Sequence, residues 1–181
     1  VELARVGTGQ AERVAGELDG HDLHAEAEPE TGDVVLAGVA GRRDLAEEDA
    51  LEYVAGLTIL NDWSARDLQA QEMSVGLGPA KGKDFATVIG PWLVTLDELE
   101  PFESLPKEGH TGKNWNLPMT CKVNGIQVSA GNLGDMEWTF AEIIERASYG
   151  VNLFPGDVIG SGTVGTGCFL ELNGTGKLND P

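Results

Sequence analysis

At 181 residues and 41% hydrophobic side chains, the chain can bury a core without disulfide or metal staples, and a single domain over 1–181 is expected. Twelve Lys and Arg against 30 Asp and Glu give a formal net charge of -18, which excludes nucleic acid, whose phosphates demand a basic footprint. No apolar stretch nears the ~20 residues that span a bilayer, and no basic start followed by an apolar run marks a signal peptide, so a cytoplasmic chain with no membrane partner is expected.

In chain order, Val1-Glu2-Leu3-Ala4-Arg5-Val6 reads as strand interior with no initiator Met, so an upstream segment is expected. Residues 17–33, polar with Gly and Pro, read as a surface excursion, and the acidic runs within Glu17–Glu30 and Asp44–Glu52 as solvated surface. Val34–Val39 is an apolar strand. Asp44 and Glu47 have capping-box spacing, and Leu51, Val54 and Ala55 share a helical face closed by Gly56, predicting a helix. A strand ending in Ile59 and Leu60 then delivers Asp62 at its exit. Pro91–Thr95 predicts a strand and Asp97–Pro106 an irregular surface connection.

Asn124-Gly125, between Cys121-Lys122-Val123 and Ile126-Gln127-Val128, supplies the positive φ angles of a type I′ turn and predicts a hairpin. Thr139 and Glu142 form a second capping box. Phe140, Ile143, Ile144 and Ala147 follow at i, i+3, i+4 and i+7, predicting an amphipathic helix that ends near Gly150. Phe154–Asp157 is a turn, Val158–Gly160 a strand and Cys168–Leu172 the last strand. Cys121 and Cys168, isolated in strand-like sequence, are expected as buried thiols outside any disulfide or metal pair. Strands outnumber helices with no βαβ alternation or repeat, so the fold class is mainly β with a few helices, α+β.

The chemistry is concentrated between Thr58 and Thr95. Asp62, leaving a buried strand, suits an oxygen ligand for a hard divalent cation, although periodicity alone favours a turn-forming Asx residue. Arg66 and Asp67 could pair to hold a loop, Gln69 could face solvent from a helix, and Lys83 beside Gly82 could be a turn lysine. Gly160–Gly167 has the composition of a phosphate loop but lacks the Gly-Lys-Ser/Thr ending and a following helix.

Several segments together resemble the fumarylacetoacetate hydrolase (FAH) family: Asn61-Asp62-Trp63-Ser64-Ala65-Arg66-Asp67-Leu68-Gln69, Gly78-Pro79 with Gly82-Lys83-Asp84-Phe85, Gly90-Pro91-Trp92, Val123-Asn124-Gly125, and Pro155–Thr163. The likeness runs from Ala50 to Gly174, with a fainter echo at Glu2-Leu3. It implies an FAH-type β-sandwich roll with Mg²⁺, or Mn²⁺ or Ca²⁺ in its place, held by carboxylates at its mouth. Asp62 matches one metal-binding carboxylate, and Glu2 the second Glu of a Glu-x-Glu-Leu pair whose first member would precede Val1. The stretch between Glu2 and Asp62 is longer than the family's usual spacing. Thr87 and Lys83 match positions near metal and substrate, Arg66, Gln69 and Thr163 belong to the substrate-binding set, and Glu171 matches an acidic residue implicated in water activation.

The chemistry so implied is cleavage of a carbon-carbon bond in acylpyruvate or fumarylacetoacetate-like 1,3-diketo acids, the cation acting as Lewis acid on a bound enolate and Lys83 as a second positive centre. The partner is a small anionic diketo acid from aromatic-compound breakdown, and the assembly a homodimer. Glu171 is the expected base, since His21, His24 and His110 stand outside a matching context. Two other readings share these residues: an isomerase or decarboxylase of 2-hydroxy-dienedioate or oxaloacetate-like acids, and a non-catalytic metal-binding homologue.

Overall fold

The structure, a computed structural model, describes residues 43–174 together with the backbone of strands at 27–28 and 31–38. Glu2, His21, His24 and the strand-like start at Val1–Val6 lie outside the described residues. Ala27–Glu28 forms β1 and Thr31–Gly38 forms β2, so the segment read as a surface excursion contains one short strand and the start of another. The apolar run expected at Val34–Val39 is the body of β2.

The helix expected after Asp44 is only Glu47–Ala50, α1, followed by a 3-10 turn at Leu51–Tyr53. Ala46 starts it without a side-chain cap. Asp44 instead serves the far end of another helix, accepting the Gly150 N–H at 2.8 Å and donating its own N–H to the Ser148 carbonyl at 2.9 Å. Val54 and Ala55 already belong to β3, Val54–Asp62, and Gly56 lies inside that strand. A Cβ at Gly56 would stand 2.5 Å from the Val94 carbonyl oxygen. Glycine is therefore needed for close strand approach rather than to end a helix.

β3 pairs antiparallel with β2 on one side and with β5, Thr87–Ile89, on the other. Between them come β4, Ser64–Ala65, which pairs with β1, and α2, Arg66–Met73. The strand expected at Pro91–Thr95 shrinks to one bridge, Leu57 to Val94, and the ladder is carried by β5 instead. Pro91 has no N–H to offer a ladder. Asp97–Pro106, expected to be irregular, contains α3 at Leu96–Leu99, a 3-10 turn and β6 at Glu103–Ser104, which pairs with β7 at Asn114–Trp115. Leu99 from this segment enters the core.

The hairpin forms as its turn residues dictate. β8, Pro118–Val123, and β9, Ile126–Asn132, flank Asn124 at φ 51° and Gly125 at φ 82°. Both values are positive, as a type I′ turn requires. Cys121 is buried in β8.

The helix expected after Thr139 is α4, Phe140–Ser148, with its capping box complete. The Thr139 Oγ1 accepts the Glu142 N–H, and the Thr139 N–H donates to the Glu142 carboxylate at 2.8 Å. Burial works to raise the Glu142 pKa, but bonds from the Thr139 N–H, the His110 ring and the Thr139 hydroxyl outweigh it and hold the carboxyl below its usual range. Replacing Thr139 with Ala should cost about 1 kcal/mol of stability. A urea melt reads this as a lower midpoint with an unchanged slope. The inner face of α4 places Phe140, Ala141 and Ile144 against Leu57, Leu99, Trp115, Leu117, Met119 and Leu133. The Trp115 and Phe140 rings lie 5.8 Å apart at its centre.

β10, Val158–Gly160, follows the expected Phe154–Asp157 turn and pairs with β2, giving a four-stranded sheet in the order β10-β2-β3-β5. The last expected strand is a helix: α5 occupies Phe169–Gly174, and the Leu172 N–H bonds the Cys168 carbonyl at 3.0 Å. A short apolar run such as Phe169-Leu170-Glu171-Leu172 has no periodicity that separates strand from helix. Strands and helices are mixed, the sheets are small, and no described helix is long and apolar enough to cross a membrane.

Candidate active site

The site grows from the exit of β3. Asn61 is buried, while Asp62, the next residue and hence on the opposite face of the strand, is three-quarters buried. The β3–β5 ladder sets Thr87 directly across from Asp62. The pairing continues one step outward, the Trp63 N–H bonding the Ala86 carbonyl at 3.2 Å. Between these two ladder partners the chain makes β4, α2 and the loop that carries Lys83.

Lys83 closes the circuit. Its Nζ donates to the Asp62 Oδ2 at 2.8 Å and to the Ser64 Oγ at 2.8 Å. The Ser64 hydroxyl donates in turn to the Asp62 carbonyl at 3.3 Å. One ammonium is thus held by a carboxylate and a hydroxyl two residues apart where β3 passes into β4, with a fifth of the lysine side chain still exposed. In a chain of net charge -18 this places one cation directly against a carboxylate of the site.

Arg66, two residues beyond Ser64, opens α2. Its Nη1 donates to the Gln69 Oε1 at 2.7 Å and its Nη2 contacts the Cys168 Sγ at 3.0 Å. Two expected substrate residues therefore touch each other, and the guanidinium bridges to the segment just before α5. Cys168, expected as a buried thiol in a strand, is a half-buried acceptor ahead of a helix. Glu171 lies three residues on, its Oε2 accepting the Thr166 N–H at 2.9 Å. Thr166, at φ 70°, is fastened to β9 by its hydroxyl, which donates to the Ala130 carbonyl at 2.8 Å. Thr163 is exposed between β10 and this fastening.

Asp62, Lys83 and Thr87 are therefore joined by direct contact or strand register, and Arg66 with Gln69 forms an adjoining pair tied to the Glu171 segment. Ser64, Glu72 and Cys168 were not singled out from sequence as site partners. Ser64 carries a signal in hindsight, a hydroxyl two residues from Asp62. Glu72 carries none, because no spacing rule links it to the loop amides it binds. His110 sits elsewhere, its Nδ1 3.0 Å from the Glu142 Oε1 and its ring edge-on to Trp138 at 5.0 Å.

The donor set suits a hard divalent cation in kind, since a carboxylate oxygen at Asp62 and a hydroxyl at Thr87 are the oxygen ligands such ions take. It supplies only part of a shell. Among the described residues no three His, Cys, Asp or Glu side chains gather as a metal cluster.

Residues 8–180 match the family model described as Fumarylacetoacetate (FAA) hydrolase C-terminal. Among curated proteins, the chain is 36% identical over 154 residues to the fumarylacetoacetase of Oryza sativa subsp. japonica, covering 71% of this chain and 35% of that protein. It is 37% identical over 150 residues to the fumarylacetoacetase of Bos taurus, covering 70% and 36%. The chain thus spans about a third of the length of these relatives.

Among solved structures, it is similar to fumarylpyruvate hydrolase from Pseudomonas aeruginosa in complex with Mn²⁺ and pyruvate, with TM-score 0.62, 25% identity, and coverage of 79% of this chain and 57% of that one. It is also similar to 5-carboxymethyl-2-hydroxymuconate delta-isomerase from Mycobacterium smegmatis, with TM-score 0.60, 29% identity, and coverage of 79% and 50%. A family match that runs from residue 8 to residue 180, through every described side chain that builds the site, makes this chain a member of the fumarylacetoacetate hydrolase family.

Proposed function

We propose that the chain carries the site of a metal-dependent hydrolase that cleaves a carbon-carbon bond in acylpyruvate or fumarylacetoacetate-like 1,3-diketo acids. The observation that carries this reading is the Lys83 ammonium, held 2.8 Å from both Asp62 and Ser64 with Arg66 on the next turn of chain. Two cations on a strongly acidic protein can receive an anionic substrate.

A divalent cation, Mg²⁺ or Mn²⁺ or Ca²⁺ in its place, would be held by Asp62 with Glu2 and Thr87, and when bound supplies Lewis-acid stabilisation of negative charge on the diketo oxygens. Lys83 donates a hydrogen bond to the oxygen on which charge develops as the bond breaks. Arg66, its fork oriented by Gln69 and Cys168, receives a substrate carboxylate, with Thr163 at the rim. Glu171 takes a proton from the attacking water, whose oxygen bonds to the remote carbonyl carbon. The carbon-carbon bond then breaks, its electron pair stays on the departing carbon, and that carbon takes up a proton to give a methyl ketone acid beside a carboxylic acid. A closed β-sandwich roll, a homodimer and a place in aromatic-compound breakdown belong to the same reading.

A second reading, isomerisation of a hydroxy-dienedioate on the same residues, is supported by the isomerase among the solved neighbours. One assay separates the two. Incubating the chain with a small acylpyruvate panel should give Mg²⁺-dependent loss of the diketo-acid absorbance, arrested by a chelator, with both acids recovered. Rearranged substrate without cleavage would favour the isomerase. No turnover with metal binding intact by calorimetry would leave a non-catalytic metal-binding protein.

A further inference from the structure

Glu72, near the end of α2, reaches across to the loop that carries Lys83. Its carboxylate accepts three consecutive backbone N–H groups: Ala80 at 2.8 Å and Gly82 at 3.0 Å on Oε2, and Lys81 at 2.7 Å on Oε1. The bonds from Gly82 and Ala80 hold its carboxyl below the usual range, so it is the ionised acceptor of a small anion nest. The residue after these three amides is Lys83.

The start of the same helix grips the loop as well. The Gly82 carbonyl accepts the Ala65 N–H at 2.9 Å, and Gly82 lies so close that a Cβ there would stand 2.9 Å from the Gln69 nitrogen. Gly82 is thus clamped between the N-terminal turn of α2 and a carboxylate from its last turn. Lys81 turns outward to Asp84 at 2.8 Å, whereas Lys83 turns inward to Asp62 and Ser64.

We infer that Glu72 is a positioning residue for Lys83: its carboxylate fixes the backbone of 80–82 and thereby sets where the Lys83 ammonium stands. The inference rests on the reading of Lys83 as a group that acts on substrate. A neutral amide cannot replace Glu72, because one of its two heads is an NH₂ that would face a backbone N–H donor to donor. Glu72→Gln keeps the size of the side chain while exchanging one acceptor oxygen for a donor and removing the charge.

The test has two arms on the full chain. In the first, lysine acetylation by N-hydroxysuccinimide acetate is read peptide by peptide by mass spectrometry. Lys83 labelling should rise several-fold in Glu72→Gln while Lys107, Lys113 and Lys122 stay at parental rates, and Glu72→Asp should recover part of the protection. In the second, Glu72→Gln should lower kcat about tenfold with little change in KM, as expected when a reacting group is displaced by a fraction of an ångström. It should cause no further loss in a Lys83→Met background.

Unchanged Lys83 labelling overturns the inference, as does a kcat loss that adds in full to that of Lys83→Met. If Lys83→Met itself keeps parental activity, the catalytic reading of Lys83 fails instead. The labelling arm then still decides whether Glu72 holds Lys83 in place.

Discussion

Replacing Lys83 with Met is expected to lower kcat on a cleavable acylpyruvate by about 10²–10³-fold, the loss that follows removal of one preorganised donor to a developing oxyanion. The size comes from timing. In the resting site the ammonium is satisfied by the Asp62 carboxylate and the Ser64 hydroxyl, each at 2.8 Å, so it stands fixed before substrate arrives. A donor held in this way costs no reorganisation when charge appears, and its benefit is greatest in the transition state. The loss should therefore fall mainly on kcat, with a smaller change in KM. Met keeps an unbranched stem of similar length and removes the charge together with its N–H donors. Lys83→Arg should not rescue, because a planar fork cannot replace a compact ammonium between two closely spaced acceptors. Steady-state kinetics on the folded variant checks this, and parental kcat would remove Lys83 from the mechanism.

What could be read from sequence was whatever depends on neighbours along the chain. Thr139 and Glu142 satisfy each other across one helical turn, and Asn124-Gly125 needs only its own two φ angles, so both appear in the structure where their spacing put them. Residues whose roles depend on distant partners differ from what their spacing predicts. Gly56 looked like a helix end, but it is set by the Val94 carbonyl, and Asp44 looked like a helix start while its bonds go to residues 148 and 150. Cys168–Leu172 is apolar enough for a strand, yet only Cys168 takes part in a β-bridge and the chain closes into a helix from Phe169.

The site divides along the same line. Asp62 and Lys83 lie 21 positions apart, and nothing in their local spacing says that they meet. Their joint significance came from resemblance, and the contact from the β3–β5 ladder that folds the intervening segment back. Glu72 was invisible on both counts, since it binds only backbone and backbone amides carry no sequence signature.

Replacing Asp62 with Ala should weaken Mg²⁺ binding by more than about 100-fold and abolish metal-dependent turnover with it, since even partners one shell removed from a metal cost 10–100-fold. Stability should fall as well, because Asp62 is three-quarters buried and its loss leaves the largely covered Lys83 ammonium without its carboxylate. Lys83→Met removes that ammonium, so the double variant should recover part of the urea midpoint while its Mg²⁺ titration stays weak, which separates the folding role of Asp62 from its role toward a cation. Asp62→Asn sharpens it, because the amide keeps an oxygen at the end of β3 but not the negative charge that draws a hard cation. Asn should bind Mg²⁺ between the parent and Ala, by isothermal calorimetry, with turnover restored only in part at saturating metal. The ammonium of Lys83 also loses its carboxylate in both variants, so Lys83→Met must be titrated beside them. Removing that positive charge should leave Mg²⁺ affinity equal to or above the parent's, because two cations no longer compete for one carboxylate. Parental Mg²⁺-dependent activity in Asp62→Ala would sink the metal-centred reading, and an equal loss of Mg²⁺ affinity in Lys83→Met would move the cation away from Asp62.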